Sequence, residues 1–115
     1  MTLTMYGIPN CDTIKKARKW LEARGVEYEF HDYKKNGIDE ARLERWIGEV
    51  GHEVLLNRRG TTWRKLSDED KADIDDAKAA RLMAAHPSMI KRPVIEGAGD
   101  LIVGFDEGVY LERLG

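Results

Sequence analysis

The only cysteine of this chain, Cys11, stands in the run Tyr6-Gly7-Ile8-Pro9-Asn10-Cys11-Asp12-Thr13-Ile14-Lys15-Lys16. A strand-like start with Leu3 and Met5 leads into a Gly/Pro/Asn turn. Ile14, Ala17 and Leu21 then recur at helical spacing, with Gly25 as the stop. The sulfur therefore belongs at or beside the amino end of the first helix. Unpaired backbone N–H groups and the helix dipole favour an anion there, and so a thiolate over a thiol. Lys15, Lys16, Arg18 and Lys19 add positive charge nearby, read here as fully solvated. A lone cysteine is otherwise a small inert hydrophobe. Position makes Cys11 a candidate nucleophile. Asn10 and Thr13 flank it and can support the sulfur, Thr13 through its hydroxyl or its backbone N–H, while also serving as helix caps.

Other clusters read more plainly. Asp68, Glu69, Asp70, Asp73, Asp75 and Asp76 lack the central glycine and terminal glutamate of a calcium loop, and acids commonly open helices. His31, His52 and His86 lie far apart with no Cys or His partner at ligand spacing, so they read as structural and no metal is expected. Arg58, Arg59, Arg64 and Lys65 surround Asn57 and Trp63. They serve either as an anchor for carboxylates or a protein partner, or as the solvated face of a short helix with Trp63 turned inward.

The elements that must position Cys11 follow from periodicity. Residues 2–6 read as a strand and 12–24 as a helix; Val26, Tyr28 and Phe30 then alternate with polar residues as a second strand. Strand–helix–strand with short joints makes the two strands parallel. Asn36-Gly37 marks a turn. Asp39 caps a helix with Leu43, Trp46, Ile47 and Val50 on one face, ended by Gly51. A helix over 77–86 turns Ala79, Leu82 and Met83 inward and stops before Pro87. Val94-Ile95 and Leu101-Ile102-Val103 form a hairpin around Gly97-Ala98-Gly99, and a helix from Asp106 to Leu114 closes the chain. The order β-α-β, helices, β-β-α fits a mixed four-stranded α/β sheet of thioredoxin-like type. A helical insertion occupies about 38–86 of a single domain over 1–115.

Bulk properties set the context. With 115 residues, 42% hydrophobic and 35% charged, the chain reads as one soluble globular domain. A net charge of −2 argues against nucleic-acid binding, and no apolar stretch approaches the ~20 residues that span a bilayer. One cysteine excludes an internal disulfide, and the start is not a signal peptide. The expectation is a cytoplasmic monomer whose Cys11 stays reduced.

Four ordered segments carry a closer resemblance: Tyr6–Thr13, Leu55-Leu56-Asn57-Arg58-Arg59-Gly60-Thr61-Thr62-Trp63-Arg64-Lys65-Leu66, His86-Pro87-Ser88-Met89-Ile90-Lys91-Arg92-Pro93-Val94, and Val103-Gly104-Phe105-Asp106. Over essentially its whole length the chain resembles the ArsC/Spx family, most closely its small YffB-type members. The resemblance implies a thioredoxin-like fold with a helical insertion and thiol chemistry at Cys11. Arg92 would supply charge beside the sulfur, and Pro93, a candidate cis proline, would shape the groove. In the arsenate reductases three arginines hold the oxyanion; those positions fall here on Asn57 (with Arg58 one step away), Arg92 and Gly104. Asn57 and Arg58 would line the far side of the groove. Spx-type members bind the α-subunit of RNA polymerase and sense redox state through Cys-x-x-Cys, whose second position here is Ile14. The resemblance thus implies monothiol chemistry with glutathione, or a protein thiol or disulfide, as partner. Arsenate reduction and a non-enzymatic polymerase-binding role are the alternatives.

Overall fold

In the computed structural model, which describes residues 3–114, the chain runs β1 (Leu3–Gly7), α1 (Asp12–Ala23), β2 (Tyr28–Asp32), α2 (Tyr33–Asn36), α3 (Glu40–Val50), α4 (His52–Leu55), α5 (Thr61–Arg64), α6 (Asp68–Lys71) and α7 (Asp76–Ala85). A 3-10 turn at Pro87–Met89, β3 (Val94–Glu96), β4 (Ile102–Val103) and α8 (Glu107–Leu114) complete it. Thr2, the first residue of the expected opening strand, lies outside the described residues. The backbone divides into two compact units, Met1–Asn36 with Arg92–Gly115, and Gly37–Lys91.

The first unit holds the sheet, in the order β2-β1-β3-β4. β1 pairs parallel with β2, in register Met5 to Phe30 and Tyr6 to His31, while β3 runs antiparallel to both β1 and β4. This is the mixed four-stranded sheet of a thioredoxin-like α/β fold. One sheet face buries Leu3, Met5, Ile95 and Ile102 against Ala17 and Leu21 of α1 and Tyr110 of α8. Ile14, Ala17 and Leu21 are the buried stripe of α1, as their spacing requires. At Gly25 (φ +69°) the helix ends in a Schellman turn, in which the Gly25 N–H donates to the Glu22 carbonyl and the Val26 N–H to that of Leu21. That second bond keeps Val26 in the turn, so β2 begins at Tyr28 rather than at Val26. Residues 33–36 form a single helical turn that periodicity did not reveal, and it buries Tyr33.

The second unit is helical. Asp39 accepts the Arg42 N–H at 2.7 Å and so caps α3; Leu43, Trp46 and Ile47 are buried, and Val50 only half so. α3 packs against α7, which buries Ala79, Ala80, Leu82 and Met83. Ser67 and Asp75 cap α6 and α7, and Asp68, Glu69, Asp70 and Asp76 occupy the first turns, where their charge suits the helix dipole. His52 is held by Asp76 at 2.8 Å and Glu53 at 2.9 Å. Trp63 is half-buried, with the Arg58 guanidinium 5.2 Å from its ring centroid. No helix among the described residues is long and apolar enough to cross a membrane.

Candidate active site around Cys11

β1 ends at Gly7, and the chain turns through Ile8–Asn10, where the Cys11 N–H donates back to the Ile8 carbonyl at 3.2 Å. Cys11 then sits as the N-cap of α1 in extended conformation (φ −85°, ψ 129°), and its carbonyl accepts the first helical bond, from the Lys15 N–H at 3.0 Å. Its side chain makes no capping hydrogen bond.

The half-buried sulfur feels opposing effects. Burial alone pushes the thiol pKa up; the backbone N–H groups of Ile14 and then Thr13, followed by the charge and side-chain hydrogen bond of Arg92, outweigh it and leave the pKa lowered. Thr13 therefore acts through its N–H. Its side chain is exposed, as is that of Asn10 in the preceding turn.

Arg92 precedes Pro93 through a cis peptide bond; Pro93 is buried, and its carbonyl accepts the Gly104 N–H at 2.7 Å. Behind Arg92 lies an aromatic and acidic layer on the sheet face opposite Met5. The Tyr6 hydroxyl donates to Glu96 at 2.9 Å, and the Tyr6 ring lies 4.8 Å from His31 and 6.3 Å from Tyr33. Tyr33 is 2% exposed, and its hydroxyl oxygen has no hydrogen-bond partner among the described residues. Burial chiefly, then Tyr6, raises its pKa well above the usual phenol range; Arg92 opposes this, so one guanidinium acts on both Cys11 and Tyr33.

The structure thus brings together Cys11, Thr13 and Arg92. Asn57 and Arg58 belong to the second unit and are engaged there: Asn57 accepts the Arg59 N–H at 3.0 Å and donates its own N–H to Met89, while Arg58 covers Trp63. Gly104 takes φ +87°, a conformation an arginine adopts only at a cost. The expectation that Arg18 is fully solvated is corrected. Its Nε donates to the Tyr28 hydroxyl at 2.9 Å, its guanidinium lies 4.4 Å from the Phe30 ring centroid, and the residue is half-buried.

Two contributors escaped the sequence reading. Ile14 attracted notice as a core position, yet its N–H is the strongest influence favouring the thiolate. At Gly7 a Cβ would collide with Cδ1 of Ile14, so the glycine lets the strand end lie against the start of α1. The Gly-x-x-x-Cys spacing ahead of a helix was the available signal. Among the described residues no group of three or more His, Cys, Asp or Glu could hold a metal ion.

A thioredoxin-like fold with a lone cysteine capping its first helix defines a class of thiol proteins, and comparison narrows it. The ArsC family model matches residues 6–113, and the chain belongs to that family. The solved YFFB protein is 54% identical, covering 99% of this chain and 100% of its own, with a TM-score of 0.96. An uncharacterized protein of Haemophilus influenzae is 43% identical over 94% of this chain and 95% of its own length. The global transcriptional regulator Spx of Streptococcus agalactiae is 27% identical over 91% of this chain and 77% of its own. The chain is thus an ArsC/Spx-family protein of YffB type.

Proposed function

We propose that this protein is a monothiol oxidoreductase that uses glutathione as co-substrate. The observation that carries the reading is the set of groups around Cys11, in which the N–H groups of Ile14 and Thr13 and the Arg92 guanidinium together offset burial and favour the thiolate. The thiolate attacks one sulfur of a disulfide; that bond breaks, a bond to Cys11 forms, and the departing thiolate takes a proton from water. A glutathione thiolate then attacks the sulfur held by Cys11, returns the Cys11 thiolate and leaves as a mixed disulfide. A second glutathione reduces that product, so two thiols supply the two electrons. Arg92 holds the attacking charge and grips an anionic substrate group, Pro93 shapes the groove, and Asn10 contributes to substrate binding.

The test is Cys11 alkylation as a function of pH, followed by glutathione-coupled turnover of a neutral disulfide, with Cys11→Ser as blank. A midpoint below the ~8.5 of a free thiol and turnover lost in Cys11→Ser are expected. A midpoint at or above that value, or no turnover, overturns the reading.

Arsenate reduction is disfavoured by Asn57 and Gly104 at two of the three positions where the resemblance places arginines. Arsenate-dependent turnover with glutathione and glutaredoxin would reinstate it. The likeness to Spx favours a second reading, a regulator contacting the RNA polymerase α-subunit. Co-purification of polymerase that survives Cys11→Ser would support it.

A further inference from the structure

We propose that Glu96 is a positioning residue for Arg92: its carboxylate, fixed by the Tyr6 hydroxyl, holds the guanidinium where it acts on Cys11. The inference rests on the thiol chemistry proposed above and extends it from the groups at the sulfur to the layer behind them.

Strand pairing builds that layer. β1 and β3 run antiparallel with Tyr6 opposite Val94 and Thr4 opposite Glu96, so these side chains share the sheet face away from Met5 and Ile95. Glu96 lies on the diagonal from Tyr6, a separation that long side chains bridge. The Tyr6 hydroxyl does so, donating to Oε1 of Glu96 at 2.9 Å. Tyr6 is itself held: it is buried, with the rings of His31 and Tyr33 4.8 and 6.3 Å from its own. The half-buried Glu96 carboxylate is thereby a negative charge anchored to the sheet.

Arg92 meets the same layer from the start of β3. The buried Tyr33 hydroxyl feels both charges. Tyr6 and Glu96 make its proton harder to remove, and Arg92 opposes them. The sulfur of Cys11, by contrast, feels the Ile14 and Thr13 N–H groups and Arg92, with no carboxylate among its influences. Arg92 is the group common to both places, so Glu96 acts on Cys11 chiefly through it. Each partner supplies what the other lacks. A half-buried carboxylate needs a counter-charge, and the cation acting on this phenol is Arg92. An arginine side chain has much rotamer freedom to lose, and a fixed, planar carboxylate is the group that restrains it. Supporting contacts of this kind keep a reactive group in its working geometry.

The two ways in which Glu96 bears on the thiol differ in sign. As a field alone, a nearby negative charge opposes the thiolate, so its removal lowers the thiol pKa. As the anchor of Arg92, its removal releases the guanidinium and raises that pKa.

The experiment is a double-mutant cycle of wild type, Glu96→Gln, Arg92→Met and the pair combined, reading the midpoint of Cys11 alkylation against pH. Iodoacetamide is the reagent, because a neutral molecule reports thiolate fraction without being drawn to Arg92. Glu96→Gln keeps the shape of the side chain and an acceptor for Tyr6. His31 is common to all four proteins, so its titration cancels. Glu96→Gln should raise the midpoint toward that of Arg92→Met and slow alkylation at neutral pH several-fold, within the tenfold of one pKa unit. With Arg92→Met already present, the same substitution should leave the midpoint unmoved or slightly lowered. Tyr6→Phe should raise it less than Glu96→Gln does. A midpoint lowered or unchanged by Glu96→Gln overturns the proposal, and so does an equal rise in both backgrounds, which marks a general loss of structure. Alkylation involves no glutathione. The expected cycle in a protein without glutathione-coupled turnover therefore supports the positioning role while overturning the co-substrate reading. A wild-type midpoint at or above ~8.5 overturns both.

Discussion

The Arg92 guanidinium lowers the pKa of the Cys11 thiol, although the two residues come from opposite ends of the chain: Cys11 caps the first helix, and Arg92 is the first residue of the returning segment that leads into β3. The guanidinium is planar and permanently charged, so it favours the thiolate at any working pH. Replacing it with methionine keeps bulk and removes charge. Arg92→Met should raise the thiol pKa and slow alkylation at neutral pH by up to about tenfold, the change in thiolate fraction for one pKa unit. The pH–rate profile checks it; an unmoved midpoint would refute the role of Arg92.

The same lowered pKa links stability to pH. Because Cys11 gives up its proton more readily folded than unfolded, the unfolded chain binds more protons between the two values, and stability rises with pH there. The contribution is complete above the unfolded thiol value of ~8.5 and is lost as pH falls through the folded one. Urea titrations of the wild type and Cys11→Ser should diverge in favour of the wild type between pH 6 and 9, as the buffers are stepped upward.

Two buried tyrosines predict opposite outcomes for one substitution. Tyr110 donates to the Gly104 carbonyl at 2.8 Å, whereas the Tyr33 hydroxyl has no partner among the described residues. Tyr110→Phe should cost about 1 kcal/mol, while Tyr33→Phe should be neutral or stabilising by a similar amount, since it removes a desolvated hydroxyl. Thermal melts of the pair measure this; a clear loss of stability in Tyr33→Phe would show that the hydroxyl is satisfied.

Gly7 gives a paired test of the joint below the nucleophile. The Cβ of Gly7→Ala would meet Cδ1 of the fully buried Ile14, whose N–H acts on the sulfur. The substitution should destabilise by about 1–3 kcal/mol, as overpacking does, and slow alkylation of Cys11. Adding Ile14→Val removes the colliding methyl and should restore part of both losses. If the double variant recovers neither, the collision is not the cause.

Local chemistry made much of this fold legible. Ile14, Ala17 and Leu21 announced α1, Asp39 the capped start of α3, and Gly97-Ala98-Gly99 the hairpin, because each is written within a few adjacent residues. The start of β2 was misplaced because Val26, a good strand residue, is held by a helix-ending bond that alternation does not encode. Tyr33 and Gly7 went unread for a different reason. Their roles depend on which distant side chains the sheet brings near them, Tyr6 and Arg92 for one and Ile14 for the other. Cys11 could be singled out from sequence, and resemblance supplied Arg92 and Pro93; that the N–H of Ile14 matters more than the Thr13 hydroxyl required geometry.

Every group that acts on the sulfur belongs to the unit formed by Met1–Asn36 and Arg92–Gly115, while Asn57, Arg58 and their neighbours belong to Gly37–Lys91. Acidity of the thiol and the chemistry of the helical segment are therefore inherited through separate stretches of chain. Substitutions confined to residues 37–91 leave in place the Ile14 and Thr13 N–H groups and the Arg92 guanidinium that favour the thiolate.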